Sequence, residues 1–270
     1  MKIVNNRSVK ILLLVVIGVF LCFINQSAFA QSAGAALNSN DGGTLLPMGI
    51  RVQFDTANSP QEISKSVQIF LLMTVLSLAP SIVITTTSFV RILIVFSFLK
   101  QALGTQQAPP SQVLTGLAIF LTIFIMSPVW MKIHNEALKP YMDGVITQAQ
   151  AWEKGVEPLK QFMLKQTGNN ELALFLELAK KGMPQHKEDI GLEILIPSFM
   201  TSELKTAFQM GFLIYLPFLV IDMVVSTSLM ALGMMMLPPM MISLPIKVLF
   251  FVLADGWTLV VRNIVRSFSV

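Results

Sequence analysis

Cysteine is all but absent from this chain: Cys22 is the only one in 270 residues. It sits inside an N-terminal apolar run, and Leu21 precedes it where a lipoprotein signal needs a small residue. Once that run is removed, no disulfide, thiol chemistry or cysteine metal site is left to consider. Histidine is nearly as scarce. His134 and His186 stand far apart, with no partner at metal-ligand spacing. There is no phosphate-binding glycine loop, no Gly-x-Ser-x-Gly elbow and no nucleophile–base pair, so the chain reads as a non-enzyme without a cofactor. Charge is the third shortage: 13% of residues are charged and 54% are hydrophobic, which places the chain among polytopic membrane proteins. The formal charge of +4 owes most to Lys2, Arg7 and Lys10; beyond residue 30 there are 16 basic and 15 acidic residues, and no basic patch suited to nucleic acid.

Residues 1–30 have the three parts of a secretory signal: a basic start, an apolar run over 11–24, and Ala28-Phe29-Ala30 before Gln31. Residues 31–64, rich in Gly, Ser, Asn and Asp, are expected to form a flexible exported tail, disordered to about Leu45. A first apolar helical pair is expected over 65–131. Its first part, 67–99, is too long for one simple span, and Pro80 predicts a kink near Ala79. The second part, 113–131, carries Thr115, Gly116, Ala118 and Thr122, small enough for close helix approach. Residues 132–194 form a soluble insert with a different composition: eight lysines and nine acids fall between 132 and 193. Within it, 171–181 has the apolar spacing of an amphipathic helix, preceded by Gly168-Asn169-Asn170 and closed by Gly182 and Pro184. Residues 195–270 hold a second apolar pair. If all four segments span, both ends of the processed chain and the insert lie outside. Arg262 and Arg266 then lie outside too, against the positive-inside trend.

The apolar segments are not inert. Arg91, Glu203, Lys205, Asp222, Lys247 and Asp255 lie in or beside them, with Pro197, Pro217, Pro238, Pro239 and Pro245. A charge in hydrocarbon costs on the order of 2.5–3.5 kcal/mol, so such groups face a protein interior or a water-filled path. Arg91 has a further option, snorkelling from a helix end. For Asp222 and Lys247 the expectation is a buried pair between helices or subunits, with a proton path as the alternative. Between Gly233 and Met241 five of nine residues are methionine. Methionine is unbranched and adaptable, so the cluster Met234, Met235 and Met236 suits a deformable plug in a turn bounded by Gly233 and Pro238-Pro239.

Long stretches resemble one family. The segment 80–128, beginning PSIVITTTSFVRILIVFSFLK, is similar to the first half of FliP-family proteins. SFMTSELKTAFQMGF at 198–212, PFLVID at 217–222, LMALGMMMLPP at 229–239 and FVLADGW at 251–257 are similar to the second half, and 162–167 matches within the insert. The resemblance implies an all-α fold of membrane-inserted helical hairpins with a small, mostly helical soluble insert. Such chains assemble into a helical pore-forming homo-oligomer of several copies, read here as a pentamer. It further implies FliQ and FliR as partners, FlhA and FlhB nearby, membrane lipid around the assembly, and unfolded flagellar proteins in transit. The location implied is the bacterial inner membrane at the flagellar basal body, with the tail and insert on the periplasmic side. On this reading Met234, Met235 and Met236 form the gate, and the intramembrane charges form pairs between subunits. The competing reading is a secondary transporter or proton channel using Asp222, Lys247 and Arg91.

Overall fold

The computed structural model describes residues 44–45, 51–52, 71, 73–74, 77–105, 108–182, 184, 186–234 and 237–268. The leader over 1–30, most of the 31–64 tail, Met235 and Met236 lie outside the described residues. The chain divides into two units, Met1–Pro80 and Ser81–Val270. In the first, strand β1 (Thr44–Leu45) pairs antiparallel with β2 (Arg51–Val52), Thr44 opposite Val52 and Leu45 opposite Arg51. The described residues of the second unit form helices and turns, in line with the all-α expectation.

The first apolar segment bends, but not where proline predicts. Helix α1 (Ser77–Thr86) runs through Pro80, and the break comes at Thr87–Ser88, where α2 (Phe89–Ala102) departs at 73°. The hydroxyls of Thr85 and Thr86 both donate to the Ile82 carbonyl, at 3.0 and 2.8 Å. These two hydroxyls compete with the backbone ladder, and Thr85, Thr86 and Thr87 crowd it with β-branched side chains.

Helix α3 (Ser111–Ile133) does not stop where the composition changes. It widens into a π turn over His134–Leu138 and continues as α4 (Lys139–Met142), a run of 32 residues. Pro140 explains the widening: its ring would meet the Glu136 carbonyl in a regular α ladder, and a π turn relieves that clash. The insert then folds as α5 (Gln148–Gln166) and α6 (Asn169–Leu178). Thr147 opens α5 with a reciprocal capping box to Gln150, at 3.4 and 3.1 Å. Helix α6 begins and ends earlier than its sequence signals. Asn169 and Asn170 are already helical, and Lys180, at φ 53°, closes the helix two residues before Gly182.

Helix α7 (Leu192–Ala231) organises the rest. Its 40 residues would reach about 60 Å, twice a hydrocarbon core of about 30 Å. It carries Pro197 and Pro217 in its interior. Helices α8 (Pro239–Leu253) and α9 (Gly256–Arg266) follow, bent by 65° at Asp255, which takes a left-handed φ of 49°. The core lies where α2, α5 and α6 pack on α7. From α2 it receives Ile92, Val95, Phe96, Leu99 and Ala102, the spacing of one helical face. From α7 it receives Leu195, Phe199 and Ala207. Arg91 faces Glu203 and Phe98 faces Gly211, so α2 and α7 run in the same direction. A Cβ on Gly211 would come within 2.5 Å of the Phe98 ring, so only glycine admits this approach. In lipid, apolar transfer does little to bring helices together and close fit does more.

Candidate functional site: buried charges and the methionine turn

Arg91 lies at the centre of the first cluster, 2% exposed, against Glu203 at 0%. Its Nε donates to Glu203 Oε2 at 2.8 Å and its Nη2 donates to Oε1, a two-pronged pair. Nη1 donates to the carbonyl and the hydroxyl of Ser267, each at 3.0 Å, and Nη2 reaches Gln166 Oε1 at 3.5 Å. The Phe268 ring lies 3.9 Å from the guanidinium carbon, a cation–π stack. One side chain thereby ties together α2, α5, α7 and the segment after α9. Arg91 points inward; it does not snorkel.

The next turns of α7 fasten the insert. Ser202 Oγ accepts from Gly168 N and donates to the Gln166 carbonyl, both at 3.1 Å. Lys205 reaches Glu171 of α6 at 2.7 Å. Lys205 beside Glu171, and the Glu171 backbone N–H, hold that carboxyl below the usual glutamate range. A lowered pKa means the pair contributes stability above the unfolded value, about 4.3, and loses it as pH falls through the folded value. Lys205 is 53% exposed, so the contribution is screened and at most about 1 kcal/mol. Glu171→Gln should therefore lower the thermal stability of the purified protein slightly at pH 7. The difference from wild type should close as pH falls below about 4. A difference unchanged down to pH 2 would refute the ionic account.

Lys247 forms the second cluster. Its side chain is 6% exposed; it reaches Asp222 Oδ2 at 2.6 Å and donates to the Ala102 carbonyl at the end of α2, at 3.1 Å. A cation at a helix C-terminus also meets the negative end of its dipole. Asp222 is 36% exposed as a side chain, yet its Oδ1 is buried without a hydrogen-bond partner among the described residues. We expect Asp222→Ala to cut the yield of assembled complex, because it leaves the buried Lys247 ammonium unpaired at about 3–5 kcal/mol, and Lys247→Ala to cut it less, because the Asp222 carboxylate it leaves is 36% exposed. Exchanging the two should restore assembly only in part, since an acid at 247 would face the Ala102 carbonyl. Normal assembly of both single variants with altered proton conductance would instead favour the transporter reading.

The resemblance implies pairs between subunits. Arg91–Glu203, Lys205–Glu171 and Lys247–Asp222 instead close within one chain, because α2, α6 and α8 all pack against α7. Asp255 makes no ion pair among the described residues; its Oδ1 accepts from Thr258 Oγ1 at 3.0 Å at the start of α9. Gln166, Ser202, Ser267 and Phe268 belong to the clusters but carry no charge that would single them out. Among the described residues, no group of three His, Cys, Asp or Glu could hold a metal.

The methionine turn begins where α7 stops. Gly233, at φ +73°, closes the helix as its N–H bonds to the Met230 carbonyl and that of Met234 to the Leu229 carbonyl. Pro239 is the first residue of α8. Met234 is 49% exposed, and Leu232, Leu237, Met240 and Met241 are exposed too. Met235 and Met236, the other two candidate gate residues, lie outside the described residues. The apolar faces nearby are also open, with Phe208, Phe212, Leu213, Val220 and Met223 on α7, and Leu249, Val252 and Leu253 on α8.

The FliP family model matches residues 72–264. Among similar chains, Flagellar biosynthetic protein FliP of Bacillus subtilis is 53% identical over 213 residues, 79% of this chain and 96% of that protein. The protein of the same name in Pectobacterium carotovorum is 50% identical over 211 residues, 78% of this chain and 82% of that one. That of Caulobacter vibrioides is 52% identical over 203 residues, 75% and 76% respectively.

Proposed function

The chain belongs to the FliP family, and from that membership we propose that it is a core subunit of the flagellar type III export gate. With FliQ- and FliR-like partners it forms the channel through which unfolded flagellar subunits leave the cell. FlhA- and FlhB-like proteins stand beside it. The assembly sits in the inner membrane at the basal body, with the 31–64 tail and the insert on the periplasmic side. Several copies, five on our reading, converge so that Met234, Met235 and Met236 of each seal the axis.

One observation carries this reading: the chain closes its deepest charges inward and leaves its apolar faces open. Arg91, Glu203 and Lys247 are all buried, while the outer stripe of α7 from Phe208 to Met223 and most of α8 are bare hydrocarbon. A 40-residue helix twice as long as a hydrocarbon core is thick needs protein as well as lipid along its length. A transporter needs the reverse arrangement, with ionisable groups facing a water-filled route.

Purification of the tagged chain co-expressed with its FliQ- and FliR-like neighbours tests the proposal. A multi-copy complex containing all three proteins is expected, with no specific small-solute transport. A monomer or dimer that moves protons or solutes alone in proteoliposomes would overturn it.

A further inference from the structure

Helix α9 turns 65° away from α8, and its 11 residues reach about 16 Å, too short to cross a hydrocarbon core of about 30 Å. It is sharply two-sided. Gly256, Val260 and Ile264 are buried, while Trp257, Leu259, Arg262, Asn263 and Arg266 are exposed. Cations, a tryptophan and a leucine on the open face of a short helix angled away from its apolar neighbour are the make-up of a helix lying in the headgroup layer. Arg262 and Arg266 are one turn apart on that face, with Cβ atoms about 6 Å apart. Neither makes an ion pair among the described residues, and α9 contains no acid. Asp255, just before α9, bonds to Thr258. Beside Arg262 runs a shallow, almost wholly apolar groove lined by Leu117 of α3 and by Trp257, Thr258 and Val261 of α9.

We propose that this face binds an anionic phospholipid. The phosphate lies between the Arg262 and Arg266 guanidiniums, and one acyl chain follows the groove over Leu117 and Val261 against Trp257. Charge complementarity selects the occupant: two neighbouring cations without counter-charges match a phosphate, and the groove beside them matches a hydrocarbon tail. A zwitterionic headgroup would bring an ammonium beside the arginines. On the topology proposed above, these are cations on the side that the loop-charge trend disfavours. A lipid phosphate supplies their counter-charge.

The test uses the purified full chain in its complex, in detergent, titrated with phosphatidylglycerol or with phosphatidylcholine of the same acyl chains. Bound lipid is counted by native mass spectrometry and Tm is followed. Phosphatidylglycerol should be retained about tenfold more than phosphatidylcholine, a preference of about 1.4 kcal/mol. The double variant R262Q/R266Q should lose the preference while keeping its basal Tm. Trp257→Ala should lower retention of both lipids. Equal retention of the two lipids by wild type, or a preference that survives R262Q/R266Q, would overturn the proposal. So would inorganic phosphate giving the same Tm rise as phosphatidylglycerol, which would assign the arginines to a free anion. Crosslinking that places both arginines against a neighbouring protein subunit would overturn it as well. None of these readouts depends on export, so failure here leaves the gate reading standing.

Discussion

Arg91→Met will remove nearly all assembled complex, and Arg91→Met with Glu203→Met together will recover much of it. The single change leaves the Glu203 carboxylate buried at 0% exposure with no cation, and frees the Ser267 carbonyl and hydroxyl. Breaking a buried pair in this way costs about 3–5 kcal/mol, whereas replacing both members with packed apolar residues is often neutral. At 1.4 kcal/mol per decade, the single variant loses about two to four decades in its folded-to-unfolded ratio. Arg91→Lys should fall between, because an ammonium provides neither the two-pronged geometry nor the stack on Phe268. Complex recovered on native gels, with Tm of whatever assembles, checks all three. A double variant as depleted as the single one would show that the pair does more than neutralise itself, and that the Ser267 and Gln166 contacts carry the effect.

Changing Met234, Met235 and Met236 together to Ala should make the closed assembly leak, while assembly stays near wild type. On the proposed gate, alanine removes the volume assigned to the seal without burying a charge, and the Gly233 and Pro239 geometry that shapes the turn is untouched. Permeability of cells to a small solute should rise well above that of cells making the wild-type complex. Leucine at the three positions keeps most of the volume and should leak far less, at a cost in the rate of export through a stiffer plug. Secretion of a hook or filament subunit is measured alongside. A triple-alanine complex that stays tight and exports normally would return these methionines to ordinary packing.

The helical layout could be read from composition and periodicity, because long apolar runs leave the backbone little choice but to bond within itself. Other features could not. The bend in the first segment follows hydroxyl competition at Thr85 and Thr86, a weaker signal than Pro80 and one that proline masked. Pairing was hidden for a different reason. Arg91 and Glu203 are 112 positions apart, and with several acids and bases to match, spacing does not say which meets which. Ser267 gives Arg91 a backbone carbonyl, which any residue possesses, so no side-chain identity could have revealed it. Gln166 and Ser202 fell inside stretches that resemble the family, and that was the sole hint of their place. Lys180 closes α6 in a left-handed conformation that Gly182 was expected to supply, since an exposed helix end tolerates the strain of a single non-glycine residue.

The Arg91 shell also sets an order in time. Glu203 is made 112 residues after the arginine and Ser267 a further 64 later. At a synthesis rate of about 5–20 residues per second, the guanidinium waits roughly 9–35 s between leaving the ribosome and meeting its last acceptor. For the first 112 residues of that interval Arg91 lacks the carboxylate that neutralises it in the folded chain. A ribosome that stalls before residue 203 therefore leaves the arginine without its carboxylate, and one that stalls before residue 267 leaves it without its last acceptors.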